Sequence, residues 1–207
     1  MALRAMVAAL SRHRAAQTRR VFFKLDSWHT LSLALFRKAF PKVPWIFLYR
    51  DPIEVMVSQA QLPSRQAIAG VLPPMVTGIE GGGTLSLVDH CAIMLKSICT
   101  TAVEHLHGGG KGIAIDYRDL RKAALDRIPR HFGFTPTNAE RLAMDAAALR
   151  NAKYPSEAFG TDGEAKRKTA GPEMIAASDT HLVPAYRQLE KLSQSAHASV
   201  PNVEQSR

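Results

Sequence analysis

"WIFLYRDPIEVMVSQ", residues 45–59, holds in fifteen positions the join on which the fold turns. WIFLY (45–49) is an unbroken apolar run, the pattern of a strand buried on both faces; a half-exposed strand would alternate. Arg50 stands at its C-terminal end. Asp51 then suits a helix N-cap, Pro52 the first helical position and Glu54 the third, a capping-box pattern. Ile53, Met56 and Val57 recur at helical spacing and give the following helix a buried face. The stretch therefore predicts strand, tight turn and helix, with Arg50 at the lip of the strand and Ser58 two turns along the helix. An arginine fork with a hydroxyl donor suits a phosphate. An arginine paired with Asp51 or Glu54, beside an exposed serine, suits the same letters.

Working outward, two more apolar runs read as buried strands, VFFKL (21–25) and GIAID (112–116). Helical patterns fall at about 27–39, 52–61, 85–106, 119–132, 138–150 and 180–193. Strands separated by helices predict an α/β fold, a parallel sheet flanked by helices on both faces. Crossovers of one hand bring the C-terminal ends of such strands to a shared edge, where open α/β sheets carry their ligand crevice. The chain suits one domain, residues 1–192, with a polar and frayed tail at 193–207. The Pro- and Gly-rich stretch 62–84 reads as an irregular excursion of the kind that faces substrates, and 151–171 as a second extended loop.

The formal net charge of +9 favours an anionic partner: nucleic acid, anionic lipid or a phosphorylated small molecule. No zinc-finger spacing or aromatic-rich RNA-binding pattern accompanies it. No apolar run reaches the roughly 18 residues of a membrane span. The N-terminal twenty residues read as a basic amphipathic helix more readily than as a transit peptide. Cys91 and Cys99 lie eight positions apart on one helical pattern, about 12 Å along its axis and too far for a disulfide. They are assigned to packing, and a reducing, cytoplasmic setting follows.

Three polar strand ends should then converge. The first strand closes in KLDSWH, so Lys24 and Asp26 reach the sheet edge, while Asp26 or Ser27 can cap the next helix and His29 falls in its first turn. A lysine, a carboxylate and an imidazole there could supply charge stabilisation and a general base. A cap with two surface groups is the plainer use of the same residues, and His29 could pack beside Trp28. The third strand ends at Tyr117, a ligand contact or a half-buried aromatic, with Asp119 expected to cap the helix after it.

The segment KLDSWHTLSLALFRKAFPKVPWIFLYRDPIEVMVSQ (24–59) resembles sulfotransferases that use 3′-phosphoadenosine-5′-phosphosulfate (PAPS), the bacterial branch above all. YRDL (117–120), HFGF (131–134) and AKYPSEAFGTDGEAKRKTA (152–170) extend the likeness over about residues 20–170. The resemblance implies a P-loop nucleotide-kinase-like fold and transfer of a sulfuryl group to a hydroxyl or amine of a small molecule or glycan. It implies Arg50 and Ser58 as ligands of the cofactor's 3′-phosphate and Tyr117 beside the adenosine. Arg167 and Lys168 loosely match a C-terminal basic element with the same role. Lys24 would offset charge on the leaving phosphate, and Asp26 or His29 would take the acceptor's proton. No metal is required.

Two departures accompany the likeness. No strand with a Gly-Ser/Thr phosphate loop precedes Val21, so an N-terminally shortened fold is expected, and the glycine-rich 78–86 lacks the lysine of such a loop. A non-catalytic partner or remnant that keeps only 3′-phosphate recognition is therefore a second expectation. A basic nucleic-acid-binding protein is a third, and self-association through an open sheet edge is expected with any of them.

Overall fold

The computed structural model describes residues 2–12, 18–80, 85–150 and 163–198. Two of the three expected strands form, β1 (Trp45–Tyr49) and β2 (Gly112–Asp116). They pair in parallel, Trp45 opposite Gly112 and Tyr49 opposite Asp116. A Cβ at position 112 would run into the Trp45 indole, so the glycine lets the ring lie flat across the neighbouring strand.

VFFKL is not a strand. Residues 21–25 run without regular structure and pair with neither β1 nor β2, and Val21, Phe22, Phe23 and Leu25 are exposed. An extended run becomes a strand only when a neighbour takes its amide groups. Here side chains set the path instead: Phe22 meets Phe132 edge-on at 5.1 Å and Phe134 at 5.9 Å, with the Arg20 guanidinium over Phe134 at 4.2 Å.

An N-terminal helix, α1 (Ala2–Leu10), is tied down by Arg4, which donates to the Ala39 carbonyl at 2.7 Å. The pattern at 27–39 begins as a 3-10 turn (Ser27–Ser32), to which Asp26 gives no side-chain cap, and continues as α2 (Leu33–Ala39). After β1 comes α3 (Pro52–Gln61), whose first turn Asp51 caps through the Glu54 N–H at 3.1 Å. The irregular 62–80 holds a 3-10 turn (Arg65–Ala67) and the single turn α4 (Pro74–Thr77). Ser86 caps α5 (Leu87–His107), the longest helix described.

The helix expected over 119–132 is broken. A 3-10 turn (Tyr117–Asp119) leads into α6 (Leu120–Leu125), then α7 (Arg127–His131) follows a kink at Asp126. Pro129 has no N–H for the Leu125 carbonyl, which is the cause of the break. Asp119 makes no side-chain cap; Asp116 serves instead, accepting the Arg118 N–H at 2.8 Å. A reciprocal capping box of Thr137 and Glu140 opens α8 (Asn138–Ala148).

Within the region read as a loop at 151–171, residues 163–169 form α9 (Gly163–Thr169), and 151–162 lie outside the described residues. Two further helices, α10 (Pro172–His181) and α11 (Val183–Ala198), complete the fold. α11 runs past Leu192, where the sequence reading ends the ordered domain. Ala185, Leu189 and Ser193 recur every fourth residue and are all buried, and Arg127 donates to the Ser193 carbonyl at 3.2 Å and the Ala114 carbonyl at 3.0 Å.

The architecture is mostly helical around a small parallel sheet, α/β in a loose sense. α5 is its spine. Ala102 and Val103 join Tyr49, Ala114 and Leu189 against the sheet; Ala92 joins Met56, Ala177 and Leu182; Met94 and Ile98 join Ile79. Each fully buried Met, Ile or Leu contributes about 1.5–3 kcal/mol, so this helix organises most of the apolar stabilisation. It also leaves the C-terminal ends of β1 and β2 side by side.

Candidate anion-binding site

Arg50 follows β1 and Tyr117 follows β2, so parallel pairing puts them next to each other. The Arg50 guanidinium lies over the Tyr117 ring, 4.9 Å from its centroid. Its Nε donates to Glu54 Oε2 at 2.6 Å. The other carboxylate oxygen of Glu54 accepts from Arg167 of α9. Arg50 and Arg167, from separate stretches of sequence, thus meet at one buried carboxylate, with the Tyr117 ring against Arg50.

The sequence offers Glu54 two uses, the third residue of a capping box or an ion-pair partner for Arg50. The Glu54 side chain turns to the two arginines, and the Arg50–Glu54 pairing that competed with a phosphate role is the one present. The i,i+4 spacing of Arg50 and Glu54 was the available signal for it. Ser58 stands one turn further along α3 on the Glu54 face, half-buried. Lys168 turns away and pairs with Glu164 of its own helix at 2.8 Å.

Beside Arg50 opens a pocket of about 150 Å³ between β1, α3, α5 and α11. Phe47, Leu95, Ile98 and Leu182 form apolar walls, and Ser27 and Gln59 join Arg50 as polar groups. Ser27 is the part of KLDSWH that reaches this pocket; Lys24, Asp26 and His29 do not line it. Lys24 and Asp26 are exposed, and His29 stacks on Trp28 at 4.0 Å with Nδ1 3.2 Å from the Asp26 carbonyl. The ring thus follows the packing alternative. Gln66 and Gln59, singled out by no motif, hold the irregular segment here: Gln66 donates to Ser27 at 2.9 Å, and Gln59 accepts from the Ser64 N–H and hydroxyl at 2.8 and 2.7 Å.

A second charged cluster borders the site. Arg118 grips buried Asp116 with two bonds, 3.0 and 2.6 Å, and reaches Tyr186 at 3.3 Å and Glu190 at 3.4 Å. The bond to Asp116 raises the Arg118 pKa further, and burial raises that of Tyr186. Burial also pushes the Tyr49 phenol up to about 12, so it stays neutral in the core. The Cys91 and Cys99 thiols are free and raised by burial to about 11 and about 12, which makes them packing groups without nucleophilic character.

Among the described residues no cluster of His, Cys, Asp and Glu could hold a metal, and no helix is long and apolar enough to cross a membrane. Comparison with protein-family models, with curated proteins and with solved structures finds no match to this chain.

Proposed function

We propose that the chain is a sulfotransferase-type protein that recognises PAPS and its product 3′-phosphoadenosine-5′-phosphate (PAP) through the 3′-phosphate. One observation carries this reading. Arg50 and Arg167, which the resemblance assigns to the cofactor, meet at Glu54 beside the C-terminal end of β1, and Tyr117, assigned likewise, lies against Arg50. An arginine fork braced on an aromatic face, with a second arginine opposite, suits the oxygens of a phosphomonoester. Ser58 would add a hydroxyl from the next turn of α3.

The 5′-phosphosulfate end is less well supplied. The turns that leave the two strands read Arg50-Asp51-Pro52 and Tyr117-Arg118-Asp119, and neither is a glycine-rich cradle. Sulfuryl transfer therefore rests on the likeness of Lys24, Asp26 and His29 to the family's residues. In that scheme the bond from sulfur to the 5′-phosphate oxygen breaks as a bond to an acceptor hydroxyl or amine forms. Lys24 offsets charge on the departing phosphate, and Asp26 or His29 receives the acceptor's proton. The acceptor is a small molecule or glycan and the setting cytoplasmic.

Calorimetry with PAP tests recognition. Binding to the wild type and its loss in Arg50→Ala are expected; a well-folded protein with no heat of binding overturns the assignment. Transfer of labelled sulfuryl to an acceptor panel tests turnover, with Asp26→Asn or His29→Gln expected to lower it. Activity unchanged in both removes the proposed bases, whereas PAP binding without any transfer leaves a protein that only senses the nucleotide.

A further inference from the structure

The phosphate-assigned arginines already hold an anion that the chain itself supplies. Glu54 is 7% exposed, and its two oxygens are divided between Arg50 of the strand end and Arg167 of α9. Its backbone is fixed as well, because its N–H is bound by Asp51 in the first turn of α3. A carboxylate and a phosphomonoester present the same thing to a guanidinium, paired oxygens bearing negative charge. Only one of them can occupy the point between two arginines.

We propose that Glu54 is a built-in occupant of this site, displaced when a phosphomonoester dianion binds, and that its displacement transfers the tie on α9 from α3 to the ligand. The idea rests on the assignment of Arg50 and Arg167 to phosphate and adds a regulatory device to it. A dianion outcompetes a single carboxylate charge, while a monoanion gains nothing by the exchange. The site therefore discriminates by ligand charge. Apparent affinity falls by the fraction of time the carboxylate holds the arginines, as for any ligand that must wait for a competent state. Arg167 ties α9 to α3 through Glu54, while Lys168 pairs with Glu164 within its own helix. Loosening Glu54 should therefore loosen residues 163–169.

The decisive variant is Glu54→Gln, which keeps the shape and removes the charge, with Glu54→Asp as a shorter carboxylate that cannot span both arginines. Inorganic phosphate serves as the probe, followed by calorimetry, with hydrogen exchange read over 163–169. Glu54→Gln should bind phosphate about tenfold more tightly than the wild type. Exchange in 163–169 should quicken without phosphate and slow again when it is added. Equal or weaker phosphate binding in both variants overturns the proposal and makes Glu54 a positioning residue for Arg50. PAP separates the two ideas. If PAP binds no better than phosphate while Glu54→Gln gains affinity, the nucleotide assignment falls and the internal competitor stands. If PAP binds wild type and Glu54→Gln alike, the competitor falls and the nucleotide assignment stands.

Discussion

Arg50 serves the fold, and on the proposed assignment it would serve a ligand as well. Its fork is oriented on one side by Glu54 and on its face by Tyr117. Lysine keeps the charge and loses the fork, so Arg50→Lys should weaken PAP binding about tenfold, against full loss in Arg50→Ala; paired titrations measure this. Removing the ring under the guanidinium costs about 0.5–1 kcal/mol at a partly exposed site, a few-fold in affinity, so Tyr117→Ala should fall below Tyr117→Phe by that amount. His131 makes a different residue-scale prediction. Its Nε2–H donates to the Trp45 carbonyl at 3.1 Å. Burial, with Lys111 and Arg127 nearby, holds its pKa below the usual 6.5. The folded state therefore resists a proton that the unfolded state accepts. Its contribution is whole above pH 6.5 and is lost as pH falls through the lowered folded value. Thermal midpoints recorded from pH 7.5 to about 5 should decline, and His131→Asn should flatten the decline.

At the scale of elements, the Asp51-Pro52 turn and the two strands WIFLY and GIAID were legible because each is decided by its own letters: an apolar run, a cap, a proline at the first helical position. VFFKL carries letters just as apolar and forms no strand, because strand formation depends on a neighbour that no local pattern encodes. The break at Asp126 follows from Pro129, a signal present in the sequence and outweighed there by helical periodicity. Half of the site was legible in the same way. Arg50 and Tyr117 announce themselves as strand ends, whereas the meeting of Glu54 with Arg167 depends on how α9 docks. The end of α11 was misjudged because Ser193 looks like the start of a polar tail, although its carbonyl and hydroxyl both receive Arg127. Truncation after Leu192 should therefore cost about 1–3 kcal/mol, read from urea midpoints, because it leaves a half-buried guanidinium short of acceptors.

For the molecule as a whole, exposed apolar side chains on β1 and on residues 21–25 carry the clearest liability. Leu48 is 43% exposed in mid-strand, and Val21, Phe22, Phe23 and Leu25 are exposed on the segment read as a strand. A strand with an apolar residue open to water invites pairing with another copy, tempered by repulsion between chains of net charge +9. Light scattering should show association that grows with added salt, and Leu48→Lys should suppress it. An unchanged salt response in that variant would place the contact elsewhere. The register between Trp45 and Gly112 has a consequence for how the chain reaches this state. Closing that pair encloses α3, the irregular segment and all of α5 in one loop, and a loop of that size is entropically slow to shut. α5 is long enough to begin forming from local interactions and so shortens the distance the strands must find across. During synthesis the helix can wind while β1 waits, and the sheet can join only after Asp116 has left the ribosome. The WIFLY segment thus lacks a pairing partner for the whole of that interval, and early apolar contacts with α5 are what can keep it from other chains.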